Sequence, residues 1–158
     1  MRSRAQRQSR SSQPGAAFVE LVVTLPVLLV LLIGTADFAR VFYTSIELTN
    51  AARAGAQFGG KDIGSCCSTD AHTAMETKAR SSVNISGVTA AADHTCQCAQ
   101  ADGSFPDTIL CTDACPSPKF RVITVTVTAS GQYNMISKYP GIPRTLNISR
   151  ASVMRVTE

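Results

Sequence analysis

Apolar residues are distributed along this chain in three different ways, and each way predicts a different element. From Ala16 to Ala36 the run AAFVELVVTLPVLLVLLIGTA is apolar almost throughout, with Glu20 its only charged residue. From Phe38 to Ala56, apolar positions recur at helical spacing (Phe38, Val41, Phe42, Ile46, Ala52, Ala56), with Asp37, Arg40, Glu47 and Arg53 among them. From Phe120 to Ala129 the period shortens to two. Ile123, Val125, Val127 and Ala129 point one way and Val122, Thr124, Thr126 and Thr128 the other, the signature of a strand with one buried face.

The first two patterns join without a break. No proline or glycine pair interrupts them between Pro26 and Gly59-Gly60, a plausible helix stop, so one helix is expected over about residues 17–58, roughly 60 Å long at ~1.5 Å per residue. Its first half is apolar all round and its second half is amphipathic. Residues 69–83 predict a short second helix, with Thr69 or Asp70 as N-cap and Lys78 and Arg80 near its end. Ser86 to Pro118 is rich in small and turn-forming residues and reads as loops or short strands. A turn-rich connection, Lys138-Tyr139-Pro140-Gly141-Ile142-Pro143, leads to a last strand over Thr145–Val156, with Leu146, Ile148 and Met154 on one face. The expected fold class is α+β: a long N-terminal membrane-spanning helix continuing into a small domain, with a short second helix and an antiparallel sheet packed on the helix's second half.

Charge sharpens the reading of the N-terminus. The chain has fifteen basic and eleven acidic residues, a net +4, and Arg2, Arg4, Arg7 and Arg10 account for that whole excess. A basic flank beside an apolar run orients a membrane helix with the flank in the cytoplasm and the C-terminal side exported. No basic stripe with interleaved aromatics exists elsewhere, which argues against nucleic acid as a partner. The uncharged stretch from Leu21 to Ala36 is slightly shorter than the ~20 residues needed to cross a bilayer; counting from Ala16 reaches that length but places Glu20 within the span. A cleaved secretory signal would need a small-x-small site after the apolar core, and Thr35-Ala36-Asp37 is a poor one. An ordinary signal anchor explains the arginines and the length but not Glu20. A carboxylate near a helix centre costs ~2.5–3.5 kcal/mol, less near the end where it reaches the headgroups, and an intramembrane acid is by default a functional residue. Pro26 is tolerated where neighbours or water satisfy the carbonyl its ring leaves free.

All six cysteines, Cys66, Cys67, Cys96, Cys98, Cys111 and Cys115, follow the apolar run. An even number on the side predicted to be exported fits a disulfide framework over residues 66–115 in an oxidising compartment. A bridge from Cys66 or Cys67 to the 96–98 pair, and another to 111–115, would staple the loop region to the helix base. A zinc cluster with His72 and His94 is the rival, but paired C-x2-C spacing is missing and adjacent cysteines ligate one metal poorly. His72 and His94 are expected to be solvated. No C-x-x-C, G-x-S-x-G, H-E-x-x-H or phosphate-loop motif is present, so neither an enzyme nor a cofactor is expected. Ala51, Ala52, Gly55 and Ala56 form a small-residue face, suited either to a partner helix or to the chain's own sheet.

The helix motifs resemble a known family. Gly15-Ala16-Ala17-Phe18-Val19-Glu20 is similar to a type IV prepilin processing site. Together with Leu25-Pro26, Gly34, Asp37-Phe38-Ala39-Arg40 and Asn50-Ala51-Ala52-Arg53-Ala54-Gly55-Ala56 it resembles the TadE-like minor pseudopilins of tight adherence (Flp-type IV) pilus systems. The ending, Ser149-Arg150-Ala151-Ser152-Val153-Met154-Arg155-Val156, is also similar. Leu21 stands where major pilins of that type usually carry tyrosine, which favours a minor subunit. The resemblance implies a basic leader over 1–15, cleavage between Gly15 and Ala16 by a prepilin peptidase, a transmembrane segment over 16–36 and an exported pilin-like domain over 37–158. It also implies Glu20 as the assembly residue at the fifth mature position, and as partners the other pilin-like subunits and the pilus assembly platform at the inner membrane. The alternative is a signal-anchored, cysteine-rich exported domain acting as an adhesin or other binding module.

Overall fold

The structure, a computed structural model, describes residues 14–105, 107–138 and 141–156. Most of the basic leader, and Tyr139 and Pro140 of the turn-rich connection, lie outside the described residues. Helix α1 runs over Pro14–Gly59 and α2 over Thr69–Ser81, with a 3-10 turn at Ile63–Ser65 between them. Four strands follow: β1 (Thr89–Ala99), β2 (Asp107–Ile109), β3 (Phe120–Asn134) and β4 (Thr145–Arg155). They form one antiparallel sheet in the order β2-β1-β3-β4. The α+β class and both helices are as the sequence predicts.

The chain divides into two units, residues 1–36 and residues 37–158. In the first, the described part is helix whose apolar side chains are exposed along its length. Its mean hydropathy reaches 2.7, enough in length and composition to cross a membrane. Within the apolar stretch Thr24 Oγ1 donates to the Glu20 carbonyl (2.9 Å) and Thr35 Oγ1 to the Leu32 carbonyl (2.9 Å), so both hydroxyls are satisfied by the helix's own backbone.

In the second unit, β3 is the organising strand. Ile123, Val125, Val127 and Ala129 alternate inward as predicted, and against them pack Leu48, Ala51, Ala52 and Ala56 of α1 with Met75 and Ala79 of α2; the strand runs on past Ala129 to bury Tyr133 as well. The small-residue face of α1 is therefore filled by the chain's own sheet and second helix. Gly55 shows why those residues are small: a Cβ there would sit 2.9 Å from the Met75 carbonyl oxygen, 2.9 Å from Val127 Cγ1 and 3.1 Å from Ala79 Cβ. At Gly131 on β3, the missing side chain leaves room for Leu48, whose Cδ2 comes within 3.4 Å of where a Cβ would be. Gly55→Val is expected to cost about 2–3 kcal/mol of overpacking, since a backbone carbonyl must move. A lower urea midpoint for the tyrosine near-UV signal of the detergent-solubilised chain checks it.

Three expectations need correction. The stripe Phe38, Phe42 and Ile46 does not join Ala52 and Ala56 in the core; those three are exposed, and the buried line runs Asp37, Leu48, Ala51, Ala52, Gly55, Ala56, Gly59. The first two apolar turns beyond Ala36 therefore face outward, and an acid faces inward. The N-cap of α2 is Ser68 rather than Thr69 or Asp70: its Oγ accepts from the Ala71 N–H at 3.1 Å, which places Asp70 in the first turn, where its charge suits the helix dipole. Within the region expected to hold loops or short strands, Thr89–Ala99 is a long, eleven-residue strand paired with β3 along its full length.

Candidate assembly site and the disulfide-bonded core

Gly15 and Ala16 lie in the first turn of α1, and an added Cβ at Gly15 meets nothing within 4 Å. Glu20 is four residues beyond Ala16, about 6 Å along the axis at ~1.5 Å per residue, and its side chain is exposed. The helix thus presents a backbone nitrogen at Ala16 and a carboxylate at Glu20 on nearly the same face, one turn apart.

Asp37, where the second unit begins, is only 4% exposed. Its Oδ1 accepts from Tyr133 Oη (2.8 Å) and the Ile136 N–H (2.9 Å), and its Oδ2 from the Ser137 N–H at 3.4 Å. A buried carboxylate is tolerated only with such donors around it. They join α1 to the end of β3 and the connection after it, while the Arg40 guanidinium lies 5.5 Å from the Tyr133 ring centroid. Sequence reasoning noted Asp37 only as part of a motif. The signal available was an acid on the side of the helix that carries Leu48 and Ala52 at later turns.

The cysteines are fully paired, but not as a staple to the helix base. Cys96 bonds Cys111 and Cys98 bonds Cys115, while Cys66 bonds its neighbour Cys67. The sheet explains the first two. Cys96 and Cys98 sit two apart on β1 and so share its buried face, and β2 pairs back onto β1 with Ile109 opposite Cys96. The chain leaving β2 must therefore pass the same end of β1, bringing Cys111 and Cys115 within Cα distances of 5.2 and 5.7 Å. Each bridge closes a loop worth ~3 kcal/mol in unfolded-state entropy, useful for so small a core. The adjacent pair closes no such loop. Arg121 Nη1 donates to the Cys111 carbonyl at 2.9 Å and braces the segment against β3. In the preceding turn, Asp102 accepts from the Ser104 hydroxyl (2.7 Å) and backbone N–H (2.9 Å), which hold its carboxyl below the usual carboxylate range.

His72 and His94 are not simply solvated. They are half-buried between α2 and β1, with His72 Nε2 and His94 Nδ1 2.9 Å apart, so one nitrogen donates to the other. Beside them Glu76 Oε1 accepts from the Ala92 N–H at 3.3 Å, a second tie between the same two elements. Among the described residues no group of three or more His, Cys, Asp or Glu side chains is placed to hold a metal ion. A groove of about 360 Å³ at one end of the sheet, lined by Gly87, Thr89, Ser130, Gly131, Gln132 and Asn147, offers only neutral polar groups.

The chain combines an N-terminal helix long and apolar enough to cross a membrane, its side chains exposed, with a small disulfide-bonded α+β unit, an arrangement that suggests a membrane-anchored protein. Residues 15–57, within that helix, match the TadE-like protein family model, in keeping with the resemblance of its motifs. Among curated proteins and among solved structures, no match is found.

Proposed function

We propose that the chain is a minor pseudopilin-like structural component of a tight adherence pilus or related secretion system, without enzymatic activity. Residues 1–15 are a cytoplasmic basic leader that a prepilin peptidase removes after Gly15. Residues 16–36 span the inner membrane, and residues 37–158, including the cysteine-rich stretch 66–115, are exported. The family match points to a pilus-associated component. The observation that carries the finer reading is the lone carboxylate of Glu20, exposed one turn beyond Ala16 on the otherwise uncharged helical stretch 16–36.

Cleavage creates an ammonium at Ala16. In an assembly of parallel helices, the Glu20 carboxylate of one subunit meets the terminal ammonium of its neighbour. Each then offsets the desolvation of the other, and the pair fixes axial register as subunits leave the bilayer. The three disulfides fit an exported location, where oxidation persists. The partners are the prepilin peptidase, sister pilin-like subunits and the pilus assembly platform. In the native host, cross-linking through the membrane segment is expected to capture pilin-like subunits, and to stop doing so when Gly15→Val blocks processing. Capture of no pilin-like subunit by the native chain contradicts the proposal.

A further inference from the structure

The burial of Asp37 has a consequence at the edge of the membrane span. With this acid turned into the second unit, the outward surface of α1 stays apolar beyond Ala36: Phe38 is 64% and Phe42 54% exposed, their rings 4.7 Å apart. The same carboxylate ties down the chain that leaves β3, through the Ile136 and Ser137 N–H groups. The two arms of that connection are held together by the Met135 N–H, which donates to the Arg144 carbonyl at 2.9 Å. On these arms Ile136 (55%) and Ile142 (49%) are exposed, and so are Lys138 and Arg144. Asp37 follows the uncharged run by a single peptide bond. The groups hydrogen-bonded to it are thus tied to the first residue after that run in the sequence.

We propose that Phe38, Phe42, Ile136 and Ile142, flanked by Lys138 and Arg144, form an interfacial anchor that seats the second unit directly on an anionic phospholipid surface. The inference rests on residues 16–36 spanning a bilayer. The apolar side chains enter the boundary between headgroups and acyl chains, and the two basic side chains meet the headgroup phosphates. Lipid is the occupant that fits because Phe38 and Phe42 follow the apolar run directly in the sequence and the exposed charges beside Ile136 and Ile142 are basic, the acid at position 37 being buried.

The chain contains no tryptophan, so one introduced residue reports alone. Full-length Ile136→Trp and Ile142→Trp, both at exposed positions, are reconstituted into phosphatidylcholine–phosphatidylglycerol vesicles carrying lipid brominated near the headgroup end of the acyl chain. Leu28→Trp serves as the reference within the span and Leu110→Trp, 72% exposed beyond β2, as the reference away from it. Emission at positions 136 and 142 is expected to fall about twofold, as for side chains ~5–10 Å into the boundary. Leu110→Trp is expected to stay bright, and Leu28→Trp to be quenched most by bromine deep in the chain. If Leu28→Trp is quenched while 136 and 142 are not, the anchor is overturned and the span survives. Blue-shifted but unquenched emission at 136 and 142 would assign the surface to another protein subunit and also overturn it. An unquenched Leu28→Trp would overturn the span, and the anchor with it.

Discussion

Glu20→Ala is expected to be processed and inserted as well as the native chain, yet to lose co-assembly with its pilin-like partners. Removing a carboxylate from an apolar helix eases insertion, so a defect of targeting is not anticipated. On the proposed pairing, the loss falls on the neighbouring subunit, whose terminal ammonium would be left unpaired in a dry contact. Leaving a buried charge without its partner costs ~3–5 kcal/mol, which corresponds to more than about a hundredfold loss of association. Glu20→Asp keeps the charge but shortens its reach and is expected to fall between the two. Quantifying partner subunits that co-purify with each variant from solubilised membranes checks this. Native levels for Glu20→Ala would reject the pairing.

The second large effect is expected at Asp37. Asp37→Ala removes the carboxylate that accepts from the Tyr133 hydroxyl in a buried bond and from the Ile136 and Ser137 N–H groups in part-buried ones. Unsatisfied buried groups cost ~1–3 kcal/mol each, and relief of carboxylate desolvation returns part of that, so a net loss of roughly 2–4 kcal/mol is anticipated. For a small domain this is a large share of the total stability of ~5–15 kcal/mol. Asp37→Asn retains one acceptor and is expected to lose about half as much. The check is the urea midpoint of the detergent-solubilised chain. Local loosening should appear as faster proteolysis after Asn134, because the connection there has lost its tether to α1.

How much of this was legible in the sequence varied with the physics of each element. Helix α1 and strand β3 announce themselves because a long apolar run and a strict two-residue alternation have few competing readings. Strand β1 did not, because TAAADHTCQCA carries small residues in place of the branched and aromatic ones that mark strands. It is a strand because β3 offers eleven register positions to pair with and because Cys96 and Cys98 are covalently tied to the chain beyond β2. The cysteine pairing was open for the same reason: it follows from which strand end meets which, a tertiary fact. The inward face of α1 was misjudged because Phe38, Phe42 and Ile46 are larger than the alanines and glycines that actually face the sheet. Close packing selected the small residues, and the hydrogen-bonded Asp37 took an inward place that hydrophobicity alone assigns to an apolar residue. Of the candidate assembly site, Gly15, Ala16 and Glu20 are visible as a motif. The buried Asp37 and the His72–His94 contact emerge only from the fold.

The most direct test of the central claim is the first residue of the mature protein purified from its native host. Ala16 is the predicted result, since only cleavage after Gly15 places a free ammonium one helical turn from Glu20. A chain that still begins at Met1, or one that begins beyond Phe38 and has lost the helix altogether, would contradict it.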